Sequence, residues 1–151
     1  MPRLGSPASG LWLCCFMSGL AASVLAQPPT ASETWTPLSH NAQTVTGKVT
    51  VAPNAITLQN GKSLPLSPGG QMLFRPEAKK KKVTADLYRI TSPDDAIPLC
   101  KGKPATYLLV WHSEKTGKEA DPRTMAPFSG PKLNAGSLDD CGRYVYDAGG
   151  P

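Results

Sequence analysis

Histidine and recognisable catalytic motifs are what this sequence has least of. The chain has 151 residues and only two histidines, His40 and His112. Ser113 and Glu114 follow His112, but neighbours along a strand point to opposite faces, which argues against a Ser-His-acid relay there. There is no Gly-x-Ser-x-Gly elbow and no glycine-rich phosphate loop. The sequence therefore predicts that the chain is not an enzyme and that His112 lies at the rim of a strand.

Metal-binding patterns are missing as well. Carboxylates occur as the pairs Asp94-Asp95 and Asp139-Asp140, whereas a calcium loop needs acidic residues at alternating positions. Both pairs lie in turn-like sequence, where aspartate accepts backbone hydrogen bonds. No cysteine and histidine cluster has zinc spacing. We expect neither a metal nor a cofactor.

A long apolar run is found only at the N-terminus. Arg3 precedes the run, which ends in Val24-Leu25-Ala26 and is followed by Gln27-Pro28-Pro29. This order is typical of a secretory signal, and the run is shorter than the ~20 residues of a spanning helix. We expect residues 1–26 to be a signal peptide cleaved after Ala26, which leaves a periplasmic or secreted protein without a stable membrane span. An uncleaved membrane anchor is the alternative.

Cysteine is sparse in what remains after that cleavage. Of the four cysteines, Cys14 and Cys15 lie in the signal, so that Cys100 and Cys141 are left. An even pair in an oxidising compartment predicts a disulfide. The absence of a Cys-x-x-Cys motif argues against a thiol oxidoreductase.

An apolar period of helical type is also absent after residue 26. Residues 27–43 are rich in Pro, Thr and Ser and predict a flexible leader, whose Trp35 either docks on the domain or is exposed. From Thr44 the period is two, with Val45, Gly47, Val49 and Val51 on one face. The Asn60-Gly61 pair predicts a type I′ hairpin, so 44–66 forms a three-stranded meander that a break at 67–70 ends.

The remaining strands complete an all-β prediction. They are expected at 71–75, 83–90, 105–111, 123–128 and 143–147, and the most apolar of them, 105–111, should be central and buried on both faces. About eight short strands over a single domain, 44–151, predict a small antiparallel barrel, with a two-sheet β-sandwich as the alternative. We favour the barrel because closure removes edge strands.

His112 and two groups of residues are candidates for binding. The first is a run of like charge formed by Lys79, Lys80, Lys81 and Lys82. Such a run prefers water, so a solvated hairpin tip is favoured over an electrostatic anchor for an anionic partner. The second group is aromatic and lies on predicted strands, where core packing is favoured over a ligand groove; it consists of Trp111, Phe128, Tyr144 and Tyr146.

Three stretches resemble a known group of proteins when taken together. They read TGKVTVAPNAITLQNGKSLPL, LYRITSPDDAIPLCKGKPATYLLVW and DDCGRYVY. They resemble a family of small exported proteobacterial proteins whose role is uncharacterised, and this resemblance implies export and paired cysteines but no activity. The architecture is also similar to periplasmic lysozyme inhibitors, which are small disulfide-bonded β-barrels, although likeness of fold does not establish function.

These observations favour an exported non-enzymatic binding or inhibitory module of the bacterial cell envelope. Its partner is expected to be a protein or an anionic envelope component, and not nucleic acid, because the net charge of +5 is a mild excess. The alternative is a structural accessory subunit of an envelope complex. A hydrolase with an unrecognised site around His112 is the least favoured interpretation.

Overall fold

The chain folds into a closed antiparallel β-barrel of eight strands that follow one another in sequence order around the barrel. The computed structural model describes residues 31–76, 81–93, 97–131, 133 and 141–149. The strands are β1 Glu33–Pro37, β2 Val49–Ala52, β3 Ala55–Thr57, β4 Ser63–Phe74, β5 Val83–Ile90, β6 Tyr107–His112, β7 Pro122–Phe128 and β8 Tyr144–Asp147. Pairing of β8 with β1 closes the barrel. The predicted all-β barrel is confirmed.

Several predicted features lie outside the described residues. They are the signal peptide over 1–26, Lys79, Lys80 and both aspartate pairs, Asp94-Asp95 and Asp139-Asp140. In the part of the chain that is described, no helix is long and apolar enough to cross a membrane.

Strand alternation divides the apolar side chains into two clusters. Side chains of successive residues point to opposite faces, so Leu108 and Val110 face the barrel interior while Leu109 and Trp111 face outward. Leu108 and Leu109 both have 0% exposure. The prediction that this strand is buried on both faces is therefore confirmed. The outer cluster is formed by Phe74, Ala85, Leu109, Trp111, Ala126 and Phe128.

The first strand differs from the sequence prediction. Residues 27–43 were expected to form a flexible leader, but Glu33–Pro37 is β1 and pairs with both β2 and β8. Trp35 has only 3% exposure and packs in the interior core. Its burial supplies apolar contact that the Pro, Thr and Ser around it do not reveal.

A single turn of π-helix replaces the start of the strand that was predicted from Thr44. The π-helix spans Ala42–Thr46, Gly47 follows with φ of 64°, and β2 begins at Val49. Thr46 is buried there because its hydroxyl donates to the Ala42 carbonyl oxygen at 2.9 Å. The threonine therefore faces the core, and Val45, which the alternating pattern assigned to the interior, is half-buried and packs against the same core.

The predicted break at 67–70 is a β-bulge within one strand. β4 runs without interruption over Ser63–Phe74, and its register with β5 shifts between Pro68 and Gln71. A bulge adds residues on one strand and bends it, so the Pro-Gly-Gly sequence changes direction without ending the strand.

The turn at Asn60-Gly61 is present but is not of type I′. Gly61 has φ of 83°, whereas no non-glycine residue of the described ranges has positive φ. The Asn60 side-chain oxygen accepts a hydrogen bond from the Lys62 amide at 3.0 Å. This side-chain bond stabilises a longer loop in place of the two-residue turn.

The predicted disulfide joins Cys100 to Cys141 at one end of the barrel. That end also carries the connection between β5 and β6, which inserts Ile97 and Leu99 into the core. The Tyr144 hydroxyl donates to the Leu99 carbonyl oxygen at 3.0 Å. This end is therefore closed, and the opposite end, with the β2–β3 turn and the β6–β7 loop, is called the barrel mouth below.

Candidate functional site

A cavity of about 210 Å³ opens at the barrel mouth and is called the mouth pocket. Three buried or nearly buried apolar side chains form its floor: Ile56, Leu66 and Val110. Trp35 and Tyr88 line its sides. Three charged residues also line it, the exposed Glu33 and the half-buried Asp86 and Arg123.

The pocket exists because two strands change from apolar to polar along their inward faces. On β5 the inward series is Ile90, Tyr88 and Asp86, and on β7 it is Met125 followed by Arg123. Ile90 and Met125 are buried, whereas Asp86 and Arg123 are half-buried. Side chains of period two therefore fill the barrel at the closed end and leave charged groups facing the mouth.

Arg123 and Asp121 form the main ion pair of the mouth. Arg123 donates to Asp121 Oδ2 from Nε at 3.0 Å and from Nη2 at 2.7 Å. His112 Nδ1 lies 3.0 Å from Asp121 Oδ1. The Arg123 hydrogen bond, aided by His112, holds the pKa of the Asp121 carboxyl below its usual range. Asp121 is therefore ionised at neutral pH.

The loop that carries Asp121 is held by β8. Asp147 accepts hydrogen bonds from the backbone amides of Asp121 at 2.9 Å, Gly149 at 3.0 Å and Ala120 at 3.2 Å. The same backbone bonds lower the pKa of Asp147. A charged acceptor thus fixes the loop beside the opening.

Two further carboxylates at the opening are bonded to uncharged donors. Glu33 Oε2 accepts from Trp35 Nε1 at 3.1 Å, and Asp86 Oδ1 accepts from Gln71 Nε2 at 2.8 Å. Within the described residues, neither carboxylate forms an ion pair. Although the whole chain is basic, the described part of its mouth carries two carboxylates that form no ion pair.

The two aromatic side chains that line the pocket interact with these charged groups. The Arg123 guanidinium carbon lies 5.9 Å from the centroid of the Trp35 ring, at the outer limit of a cation–π contact. Burial raises the pKa of the Tyr88 hydroxyl, Asp86 raises it further, and Arg123 opposes the shift. Tyr88 is consequently a neutral hydrogen-bonding group at physiological pH.

The candidate binding residues predicted from the sequence lie elsewhere. Lys81 and Trp111 come together in a groove of about 550 Å³ on the outside of the barrel, together with Arg143 and Glu114; this is called the outer groove. Lys82 is exposed. Arg143 donates to the Pro76 carbonyl oxygen, so the groove is bordered by the chain that follows β4.

Tyr144 and Tyr146 share a face, as predicted, and that face is the barrel interior. Their exposures are 2% and 0%. The Tyr146 hydroxyl lies 2.5 Å from the Thr46 hydroxyl. The structure thus places these two rings in the core, where they are not available as an exposed stacking platform.

His112 lies at the end of β6, as predicted, and its side chain is 69% exposed. Its neighbour Ser113 lines the outer groove, where its hydroxyl pairs with that of Thr124. Sequence reasoning missed Asp121 as the partner of His112. The His112–Asp121 pair supplies one element of acid–base chemistry, an imidazole oriented by a carboxylate.

Sequence reasoning also missed the residues of the mouth pocket. The signal that identifies them is the inward face of each strand, which joins Asp86 to Ile90 and Arg123 to Met125. A charged residue on the same face as core residues, near a strand end, indicates the opening of a barrel.

Metal ligation has no candidate in the described ranges, because no three His, Cys, Asp or Glu side chains come close enough to hold an ion. No protein-family model, no curated protein and no solved structure matches this chain. The geometry of the mouth pocket and the outer groove is therefore the basis for a functional assignment.

Proposed function

We propose that the chain is an exported, non-enzymatic binding module of the bacterial cell envelope and that it recognises its ligand at the barrel mouth. The observation that carries this proposal is the mouth pocket itself, an open cavity with an apolar floor, two aromatic walls and three charged groups. Ligand sites favour such concave apolar surfaces with a few polar groups, and barrel mouths are among their common positions.

The barrel supports recognition because it is a rigid frame. All eight strands are paired on both sides, and the disulfide joins the closed end. Trp35, Tyr88 and Asp86 project from strands rather than from loops. Side chains on paired strands are held more closely in place than side chains on loops, which reduces the entropy lost on binding.

Export is part of the proposal. Disulfides form and persist in oxidising compartments, and the N-terminal residues have the three-part pattern of a secretory signal. A periplasmic or secreted location accounts for both. N-terminal sequencing of the exported protein is expected to begin at Gln27.

The size of the mouth pocket limits what enters it. Pockets for drug-sized ligands have volumes from ~300 Å³ upward. At about 210 Å³ the mouth pocket is smaller, so it accepts one small molecule or one side chain of a partner protein.

The proposal is tested by blocking the mouth. Val51 lines the pocket, and Val51→Phe adds a ring to a side chain already directed at the cavity. The exported parent protein and this variant are each incubated with envelope extract, and the retained molecules are identified by mass spectrometry. A ligand retained by the parent and lost from Val51→Phe is the expected result.

A matched variant alters the outer groove instead. Lys81→Ser combined with Lys82→Ser removes two charges outside the mouth pocket. It should retain the same ligand as the parent. Equal retention by Val51→Phe and loss from the lysine variant would place recognition at the outer groove and overturn the proposal.

A second candidate function is hydrolysis, favoured by the 3.0 Å contact of His112 with Asp121. Turnover of an activated ester by the parent, abolished in His112→Ala, would support it. Equal rates for the two proteins would exclude His112 as its catalytic base.

A further inference from the structure

We infer that the group entering the mouth pocket is an organic cation, an ammonium or guanidinium head on an apolar stem. The inference deepens the proposed function and rests on it for the location of the site. It is argued from the charges, the aromatic faces and the floor of the pocket.

The charged residues of the mouth pocket favour a cationic ligand. Glu33, Asp86 and Arg123 line the pocket, and Arg123 is committed to Asp121 through two hydrogen bonds. Within the described residues, Glu33 and Asp86 have no cationic partner. A ligand cation would complete two ion pairs beside an Arg123 whose charge Asp121 balances, whereas a ligand anion would meet two like charges.

The aromatic side chains of the pocket also favour a cation. Trp35 already presents its ring face to a cation, the Arg123 guanidinium at 5.9 Å. Tyr88 stands on the other side of the same pocket. Aromatic side chains beside carboxylates favour a weakly hydrated organic cation over an inorganic ion.

The apolar floor of the pocket favours a ligand with an apolar stem. Ile56, Leu66 and Val110 offer only apolar surface below the charged level. A bare inorganic cation leaves this surface unused, whereas an alkyl stem covers it and adds apolar burial. The ligand is therefore predicted to be amphipathic, with its head at the level of Asp86.

Because the whole chain is basic, a preference for a cation must arise from groups within the pocket. A net charge of +5 repels cations weakly at long range, and salt screens that repulsion beyond about 10 Å. Selectivity for a cation must then come from the carboxylates of the pocket, so it should weaken when one of them is neutralised.

The test is a matched series of hexylammonium, 1-hexanol and hexanoate, which share a stem and differ in charge. The Trp35 indole N–H, which donates to Glu33, reports on the mouth by NMR, and the Trp111 indole N–H reports on the outside of the barrel. Hexylammonium should shift the Trp35 signal, leave Trp111 unchanged and bind about ten-fold more tightly than 1-hexanol. Hexanoate should bind more weakly than 1-hexanol.

Two variants separate the pocket from general electrostatics. Asp86→Asn keeps the shape and removes the charge at the mouth, and Glu114→Gln removes the same charge at the outer groove. Asp86→Asn should bring hexylammonium affinity closer to that of 1-hexanol, because Glu33 alone remains to pair with the ammonium, and Glu114→Gln should leave it at the parental value. Equal loss in both variants would overturn the inference. Thermal unfolding of both variants confirms that they are folded.

One further arm distinguishes the source of the cation. Nα-acetyl-lysine N-methylamide carries the same ammonium group on a peptide-like backbone. If it binds at the mouth as tightly as hexylammonium, the ligand is a side chain of a partner protein. If it binds more weakly, the ligand is a free amine. Both results support the cation. Equal affinity for all three hexyl compounds at the mouth would overturn the cation inference and leave the proposed function intact. Absence of any shift at Trp35 would overturn the inference, and the capture experiment would then decide the proposed function separately.

Discussion

Arg123 donates both of its short hydrogen bonds to one carboxylate oxygen of Asp121, from Nε at 3.0 Å and from Nη2 at 2.7 Å. The pair joins β7 to the loop before it and sets the position of the guanidinium beside Trp35. Because this cation is already paired, it does not neutralise the other carboxylates of the mouth. The relationship thus determines both the shape and the charge of the mouth pocket.

Replacing Arg123 by methionine should raise the pKa of Asp121 towards its ordinary value, since the Arg123 hydrogen bond is the largest cause of its lowering. A lowered folded-state pKa gives stability that is present above about pH 3.9 and is lost as the pH falls through the folded value. The pair is partly exposed, so the loss at neutral pH should be about 0.2–1 kcal/mol. Carbon-detected NMR titration of the Asp121 carboxyl measures the pKa, and urea unfolding measures the stability. His112→Ala should raise the pKa less, and an unchanged pKa in Arg123→Met would contradict the account.

Tyr146→Phe should lower the free energy of unfolding by about 1 kcal/mol, because it removes the buried hydrogen bond to Thr46. Burial also raises the pKa of the Tyr146 hydroxyl well above its ordinary value. A phenol with a raised folded-state pKa contributes stability that is fully present below about pH 10 and is lost as the pH rises further. The variant should therefore lose less stability than the parent above pH 10, as measured by urea unfolding at several pH values.

Thr46→Val is the control for that pH dependence, since it removes the hydroxyl partner but keeps the buried phenol. It should retain the steep alkaline loss. Tyr144 and Tyr88, whose pKa values are also raised by burial, keep part of the slope in every variant. Parallel alkaline curves for the parent and Tyr146→Phe would show that Tyr146 does not contribute.

The Cys100–Cys141 disulfide should stabilise the barrel substantially. Its sequence separation of 41 residues corresponds to roughly 4 kcal/mol in the chain-entropy model, and measured values are typically 2–4 kcal/mol. Cys100→Ala combined with Cys141→Ala should lower the free energy of unfolding by that amount. The parent protein in dithiothreitol should unfold at the same urea concentration as the double variant. A midpoint that reduction leaves unchanged would contradict this prediction.

Gly47→Ala should destabilise the fold by at least about 1 kcal/mol. Gly47 has φ of 64°, and a Cβ atom there would clash with the Gln59 side-chain oxygen. Positive φ is costly for alanine, and Gln59 is held in place by the Lys48 amide at 3.0 Å. Gln59→Ala in the same chain should recover only part of the loss in thermal unfolding, since it removes the contact with the side-chain oxygen but keeps the Cβ of residue 59, 2.7 Å from the added Cβ, and the backbone strain. No recovery would assign the whole effect to that Cβ contact and the backbone.

Local sequence patterns predicted the strands in which apolar and polar residues alternate between the buried and the exposed face. β6 and β8 have the faces that their sequences indicate, and Cys100 and Cys141 pair as expected. β1 was missed because its stabilising contacts are with distant chain: Trp35 packs against Tyr146 at 6.0 Å between ring centroids. The composition of residues 27–43 does not predict a contact with a residue so distant in the sequence.

The mouth pocket could not be predicted for a related reason. Asp86 and Val110 come together because they are paired across β5 and β6, and the bulge of β4 between Pro68 and Gln71 shifts the register on the other side of β5. Asp121 meets Arg123 and His112 only once the β6–β7 loop is fixed by Asp147. Each of these depends on the register of the closed barrel, which no single stretch of sequence specifies.

The central claim, that recognition takes place at the barrel mouth, is tested most directly by an amide and indole NMR shift map of the exported protein with the ligand retained from envelope extract. The account predicts shifts at the Trp35 indole and at the amides of Asp86, Tyr88 and Val110. Shifts confined to the outer groove, at Lys81, Trp111 and Arg143, would contradict it.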